Sequence, residues 1–592
     1  MRQPSRDVIR FGPFELDLRR KEIRRRGVPL RVQEQPLRVL MVLIETPGEV
    51  ISREDLIRKV WPSDTFVDFE HSLNAAVNRL RQVLDDEAAQ PRYIETVPRR
   101  GYRYIGPMYN EEVAEPNRSV DDRESKPSES VVAVLPFVDI SPTPDSNYFC
   151  DGLAEEIIGG LTKVPGIRVI GRRSTALFKD RTESLREIAE RLNASFVLDG
   201  SLRQLEKRIR ITAQLVRSLD EHCIWSERYD RELTDLFEVQ EEIARSIVET
   251  LELRMTAAPL IKQYTRSEEA YLFYLKGALY PHAWTPEAFE QISSYMKRVV
   301  DIEPAHAPAW VELAGLSFGQ VMAGIRPSKV MGGAIEAAHR AVAADPELAE
   351  ARAILGAMKG LFEHDWSGAL PEFEVALKLN QAAPSVRYYR ALVLTALGRA
   401  DEAISELRRS LESDPFSVLV NMHLCRLCTA VGNHQAAIGY GERVVKISPQ
   451  HFPGLGRLGE AYVYSGNYER GIALLEQARA SAPAEGWYTA ALAASYCRGG
   501  RLSDAQRIRF EVEQKASYEY VPFAVRAFTA AALGHIDEAF DLLEQAVKDR
   551  DGILMFLTTE RTIEGIRNDP RYSKVLDSMN LKHFKRPSLH GS

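Results

Sequence analysis

The sequence predicts a multidomain chain with a small α+β head, an α/β middle domain and an all-α repeat solenoid. Three observations predict it. The first hundred or so residues alternate short β-prone runs with three amphipathic helical segments. The next stretch alternates apolar strands with helices, the pattern of an α/β domain. Further on, small residues and prolines return every 34 positions. At 592 residues the chain has room for several domains of about 100 to 200 residues each.

Composition narrows the class. Hydrophobic residues make up 45% and charged residues 27%, which excludes a disordered or fibrous chain. The net charge of -7 excludes a uniformly basic coat, but it hides an asymmetry. Residues 1 to 108 hold 20 Lys+Arg against 16 Asp+Glu, a net +4, which leaves -11 for the rest. A basic head on an acidic body fits nucleic-acid contact confined to the head. The 5 cysteines are few, odd in number and scattered, so no disulfide framework is expected and a reducing compartment fits. The opening MRQPSRDVIR has no apolar core of a secretory signal, and no run approaches the roughly 20 apolar residues that span a bilayer. A cytoplasmic protein is expected, nucleoid-associated when bound to DNA, with no membrane contact.

In the head, Val8 to Leu18, Glu22-Ile23-Arg24 and Val28-Pro29-Leu30 read as short strands of an antiparallel sheet, punctuated by Gly12-Pro13 and Gly27. Gln35 to Glu45 is an apolar helix that ends near Pro47-Gly48. Ser52 caps the next helix, with Asp55 three residues on as a box-like partner. The third helix is Phe69 to Leu84. Leu73, Ala76, Val77, Leu80 and Leu84 form its apolar stripe, while Asn74, Asn78, Arg79 and Arg81 fall off that stripe. Asn can pair with adenine edges, and Arg with guanine edges or phosphates. On its own, such a helix is equally well a solvated surface element, and the flanks decide. After Pro91, Tyr93 to Val97 and Tyr102 to Ile105 read as strands joined by the basic turn Pro98-Arg99-Arg100-Gly101.

Sheet, three helices and a basic-tipped hairpin, in that order, make a winged helix-turn-helix. Gly48, Ser52 to Leu56, Trp61, Asn78-Arg79-Leu80-Arg81, Tyr93 to Val97 and Arg100-Gly101-Tyr102-Arg103 fall at spacings that resemble the OmpR/PhoB-type DNA-binding domain over residues 8 to 106. The resemblance implies that the third helix enters the major groove and that the wing reaches the neighbouring minor groove. It puts Asn74, Asn78 and Arg79 on base edges, Arg81 on phosphate, and Arg99 and Arg100 at the wing tip. His71 stands at the helix start, where backbone N–H groups favour phosphate, or is a plain surface histidine. Arg103 is either a wing contact or a strand residue paired with a carboxylate. Trp61 and Leu56 are read as core.

The expected domains are the winged helix over 1–108, a polar, Pro-containing linker over 109–130, an α/β domain over 131–255 and helical repeats over 260–585. In the middle, VLPFVDIS, YFCDGLAEEIIGGL, ASFVLDGSL, IRITAQLV and WSERYDRELTDLFEVQEEIA resemble the TolB N-terminal-like domain. Asp139, Asp145 and Asp151 share one loop, but their spacing matches no Ca²⁺ loop, so they are read as turn-forming acids.

In the body, Gly398, Gly432, Gly466, Gly500 and Gly534 keep the 34-residue step, as do Ala403, Ala437, Gly471, Ala505 and Ala539. This is the tetratricopeptide (TPR) signature, and roughly eight helix pairs are expected, with Thr562 to Leu581 as a terminal cap helix. Ala357, Ala391, Gly459, Ala493 and Ala527 take the small position where paired helices approach. The period disposes of two motifs. The GxGxxG run of Gly454 to Gly459 lies inside a repeat helix, not after a strand, and Cys425 and Cys428 occupy packing positions. Stacked repeats present a concave groove that suits a protein or peptide partner. Tyr388, Met422, Gly456 and Ala490 share one groove offset and show no clamp for a carboxylate terminus.

The expected function is sequence-specific DNA-binding transcriptional regulation. The expected partners are double-stranded promoter DNA and a protein or peptide on the TPR groove, with RNA polymerase and a second copy of the chain as further candidates. No cofactor or metal is expected. The alternatives are an interaction scaffold without specific DNA binding, and an enzyme. TolB-like and TPR segments also accompany class III nucleotide cyclases, but no stretch is left over for a cyclase domain, a Walker loop, HExxH or G-x-S-x-G.

Overall fold

The structure is a computed structural model. It describes residues 8–11, 14–17, 22–25, 28–30, 32–46, 48, 50–61, 69–84, 86, 91–97, 100–106, 108–109, 130–141, 147–180, 183–205, 208–232, 236–253, 259–280, 285–482 and 484–581. The expected linker falls almost wholly outside these residues, as do Asp145 and Arg99. The chain forms two compact units that divide between Glu124 and Ser125.

The first unit holds strands β1 (Val8–Phe11), β2 (Phe14–Asp17), β3 (Glu22–Arg25) and β4 (Val28–Pro29), then helix α1 (Glu34–Glu45). Strand β5 (Val50–Ser52), helices α2 (Arg53–Val60) and α3 (Phe69–Leu84), and strands β6 (Ile94–Val97), β7 (Gly101–Tyr104) and β8 (Met108–Tyr109) follow. Two of these strands escape a sequence reading because they are only two or three residues long. β5 pairs with β7 to make a three-stranded wing, and β8 returns to pair with β1. Ser52 caps α2 as expected, accepting from the Asp55 N–H at 3.1 Å. Phe11, Phe14, Tyr93 and Tyr104 pack with ring centroids 5.5 to 5.9 Å apart and join the N-terminal sheet to the wing. Leu56 and Trp61 are buried, as read from the sequence.

The second unit opens with a mixed sheet. Its strands are β9 (Ser130–Val134), β10 (Val138–Asp139), β11 (Ile167–Ile170), β12 (Phe196–Leu205), β13 (Arg208–Arg217) and β14 (His222–Glu232), in the order β11-β9-β12-β13-β14, with β10 pairing β12. Helices α4 (Asn147–Leu161), α6 (Leu185–Leu192) and α7 (Leu236–Thr250) join it, with the short α5 (Arg172–Thr175) after β11. Ser184 and Glu187 close a full capping box at α6. Of the acids read as turn-formers, Asp139 accepts from the Ser141 N–H at 2.9 Å in a turn, whereas Asp151 lies in the first turns of α4, not in a loop, and pairs with Lys179 at 2.6 Å.

Among the described residues, sixteen helices follow in eight antiparallel pairs, from α8 (Glu268–Ala278) to α23 (Ile536–Lys548), and α24 (Pro570–Ser578) comes last. Ala357, Ala391, Cys425, Ala493 and Ala527 are fully buried at the small position, as that role requires. Gly459 shows why the position is small. A Cβ there would lie 2.8 Å from the Gly471 carbonyl oxygen of the paired helix. The same contact fixes the GxGxxG run as packing within α18 (Phe452–Tyr464). Cys425 and Cys428 are buried, and burial pushes both thiols up, Cys428 to about 11, so they are not thiolates at neutral pH. The middle domain and repeats share a core, because Tyr271 and Leu275 of α8 pack with Leu153 and Ile157 of α4. A second seam joins them in the turn just before α16 (Val418–Ala430). Ser174 donates to Asp414 at 2.5 Å and accepts from the Phe416 N–H at 2.9 Å, and the Arg191 guanidinium covers the Phe178 and Phe416 rings.

The repeat groove differs from expectation. It is occupied by the chain itself. Asp551 to Glu560 is buried without a break, and its 3₁₀ turn (Gly552–Phe556) and the 3₁₀ stretch that follows it (Arg561–Ile566) lie against the inner helices. Thr558 donates to the Thr395 carbonyl at 2.8 Å, Arg426 donates to the Thr559 hydroxyl at 2.7 Å, and the Trp366 indole N–H donates to the Met579 carbonyl at 2.7 Å. The groove positions Met422 and Ala490 are buried, and Tyr388 packs against this core. A peptide on the concave groove is therefore not accommodated without removing this segment. Thr562 to Leu581 does not form one cap helix. A 3₁₀ turn and α24 replace it, because the chain must first cross the groove. We expect Phe556→Ala to destabilise this unit by about 3–5 kcal/mol, the usual cost of emptying a buried aromatic site. Urea unfolding of the full chain, followed by tryptophan fluorescence, measures it. A shift below about 1 kcal/mol would show that the segment lies outside the cooperative core.

Candidate nucleic-acid interface

The exposed face of α3 is set by what its other face must bury. Leu73, Ala76, Val77, Leu80 and Leu84 are all buried against α1, α2 and the wing. Asn74 and Asn78 are exposed one turn apart, and Arg79, next to Asn78, is exposed on the flank of the same polar face. Arg79 donates to the Gln33 side chain before α1, an exposed neutral contact that a DNA ligand can readily replace.

Asn74 is held by two neighbours. Its Oδ1 accepts from the Tyr102 hydroxyl at 2.8 Å and from Arg53 Nη1 at 3.1 Å. Arg53 Nη2 also donates to the Tyr102 hydroxyl at 3.4 Å, and the guanidinium carbon lies 5.2 Å from the Tyr102 ring centroid. Thus the start of α2, the middle of the wing and the exposed face of α3 meet at one side chain.

Arg81 corrects the sequence reading. It is only 7% exposed and donates to the Ile94 carbonyl at 2.8 Å and the Thr96 hydroxyl at 2.9 Å. It stands four residues after Val77, next to Leu80, so it flanks the buried stripe and braces α3 on β6 rather than reaching phosphate. Arg103 resolves toward the carboxylate alternative, pairing with Glu95 of the facing strand at 2.6 Å. Arg100 is exposed at the hairpin turn, where its backbone N–H donates to the Val97 carbonyl at 3.1 Å. Arg99 lies outside the described residues. His71 lies in the first turn of α3, and its side chain is outside the described set.

Four contributors were not singled out as site residues from the sequence. Arg53 and Tyr102 act on Asn74 across 21 and 28 residues of chain, a separation that carries no local signal. Asp86 is buried after α3 and accepts from the backbone N–H groups of Arg92 at 2.6 Å, Tyr93 at 3.3 Å and Ile94 at 2.8 Å. It fixes where the wing begins. Gly101 allows the wing to close. A Cβ there would fall 1.9 Å from the Ile51 carbonyl oxygen of β5.

A helix with one buried and one polar face, braced on a three-stranded wing with a basic turn, is a winged helix of the OmpR/PhoB type, the DNA-binding class of transcriptional regulators. Residues 27–104 match the family profile "Transcriptional regulatory protein, C terminal". Residues 128–246 match "HilA/YgeH-like transcriptional regulator, second domain", and 361–418 match "Tetratricopeptide repeat". The chain is 24% identical over 385 residues to the transcriptional regulator HilA of Salmonella typhimurium, covering 64% of this chain and 65% of that relative. It is 30% identical over 297 residues to a Rhizobium meliloti protein with an adenylate cyclase name, covering 49% and 44%. It is 37% identical over 95 residues to the cholera toxin transcriptional activator of Vibrio cholerae, 16% of this chain and 32% of that one. The chain thus spans less than two thirds of the length of each of these relatives.

We expect Arg81→Met to destabilise the head by about 1–3 kcal/mol, because it leaves the buried Ile94 carbonyl unpaired. The salt dependence of DNA binding should not change, since no phosphate contact is lost. Gly101→Ala should cost about 1–3 kcal/mol by overpacking the β5–β7 contact. Thermal melting followed by near-ultraviolet circular dichroism, with titrations at two salt concentrations, checks both. A shallower salt slope for Arg81→Met would restore the phosphate reading.

Proposed function

We propose that the chain is a sequence-specific transcriptional regulator that docks its winged helix on promoter DNA and uses the second unit to assemble or to receive a signal. The observation that carries this reading is the exposed Asn74, Asn78 and Arg79 face on a helix whose opposite face is the core of a winged-helix domain. In this reading Asn74, Asn78 and Arg79 meet base edges in the major groove, and Arg100 with Arg99 and His71 meets the backbone and the flanking minor groove. The net +4 of residues 1 to 108 supplies the attraction, and the -11 of the remainder keeps the second unit off the DNA.

The second unit takes protein partners on its convex faces and helix edges, since its groove is filled. RNA polymerase and a second copy of the chain are the candidates. Among the described residues, no helix is long and apolar enough to cross a membrane. The reading places the protein in the cytoplasm, on the nucleoid when bound. It is a non-catalytic reading. The cyclase activity in the Rhizobium meliloti relative's name stays with that protein, of which this chain spans 44%.

A gel-shift series with the full chain and its own upstream region tests the reading. The expected result is a sequence-selective shift that weakens steeply with salt. No selective shift at any salt concentration would overturn it in favour of a scaffold. Arg79→Ala should lose about 1–3 kcal/mol and relax preference at one base pair, whereas Arg100→Ala should weaken all sequences alike and reduce the salt slope by about one.

A further inference from the structure

A guanidinium can only donate hydrogen bonds, so the Asn74 amide atom that faces Arg53 Nη1 at 3.1 Å is the oxygen. The Tyr102 hydroxyl completes a closed triangle. It accepts from Arg53 Nη2 at 3.4 Å and donates its one proton to the same Asn74 oxygen at 2.8 Å. A carbonyl oxygen has two lone pairs, and both are used. What Asn74 turns outward is its NH₂ group, with two donors and no acceptor.

Pairing an asparagine with adenine needs one donor for N7 and one acceptor for the N6 amino group. Asn74 in this triangle lacks the acceptor. Guanine is the base that presents two acceptors, O6 and N7, side by side in the major groove. We propose that Asn74 reads guanine rather than adenine, and that Arg53 and Tyr102 are positioning residues that set this preference without touching the base. The inference rests on the proposed docking of α3 in the major groove. It places one specificity determinant on the wing and another on α2, so base choice at this position depends on three elements of the head.

Selection of binding sites from a randomised duplex library tests it, using the full chain, Asn74→Ala, Tyr102→Phe and Arg53→Ala. The base pair read by Asn74 is the one whose preference flattens in Asn74→Ala. The wild-type chain should select guanine there, and Asn74→Ala should reduce that preference by about tenfold. Tyr102→Phe removes a donor and frees one lone pair, so adenine should gain on guanine by roughly three- to tenfold at this position alone. Arg53→Ala should act in the same direction, and it keeps the test decisive if Tyr102→Phe impairs the wing. Adenine selected by the wild type would overturn the inference. So would an Asn74→Ala chain that binds every sequence more weakly with a shallower salt slope, which marks a phosphate contact. Unchanged base preference in both folded positioning variants would also overturn it. A wild-type chain that selects no sequence at all would instead overturn the regulator reading itself.

Discussion

Phe556 lies in the core of the repeat helices beside two guanidinium groups, Arg426 at 3.9 Å and Arg457 at 5.4 Å from its ring centroid, and the inner helices of the repeats depend on this contact. A stack of helix pairs that curves this strongly would otherwise leave its apolar inner face open to water. Here the chain returns and fills it. Arg457 is paired with Glu460 at 2.6 Å, whereas Arg426, which donates to the Thr559 hydroxyl through Nη2, leaves its Nε and Nη1 buried without a hydrogen bond. Desolvation, reinforced by Arg457, lowers the Arg426 pKa, the signature of a cation drawn into a low-dielectric core. The cavity left beside Phe556 and Met555 measures about 40 Å³, room for a few waters. The groove that makes repeat proteins peptide receptors is therefore filled by the chain's own core.

Much of this architecture was legible in the sequence, where one side-chain period dominates. The 34-residue step located the helix pairs because each pair needs a small residue at the same contact, and the stripe of α3 was visible because a core face repeats. What escaped notice was fixed by distant partners. β14 reads as a charged stretch because it is an edge strand with Arg228, Asp230 and Glu232 facing solvent, so no apolar alternation marks it. The segment from Asp551 to Glu560 is apolar without a period and reads as the end of the last repeat. Only the folded repeats show where it goes.

The same limit applies to the reading face. Position along a helix told which residues leave the apolar stripe, but not how far each departs from it. Arg81 lies close enough to the stripe to be drawn onto the Ile94 carbonyl, whereas Arg79 two residues earlier is carried outward. A long cationic side chain beside a buried stripe has two destinations, and the acceptor supplied by β6 decides between them. Arg103 meets the same choice and takes Glu95. Of the head's candidate arginines, two are spent on holding the wing to itself and to α3.

That expenditure makes the remaining contacts effective. A reader of base edges discriminates only if its donors and acceptors are held in place before DNA arrives, since a freely rotating amide adapts to either purine. Asn74 is fixed from two sides, so the preference proposed for it would be part of the fold. Arg79 is different, because its exposed contact to Gln33 costs little to exchange and leaves the side chain able to reach. The wing stays in register because Asp86 holds its first strand by three backbone N–H groups, and Gly101 lets β5 approach without a clash. Specificity in such a head then comes from rigid placement of a few short side chains, and affinity from mobile charged ones. The division follows from which side chains the core can reach.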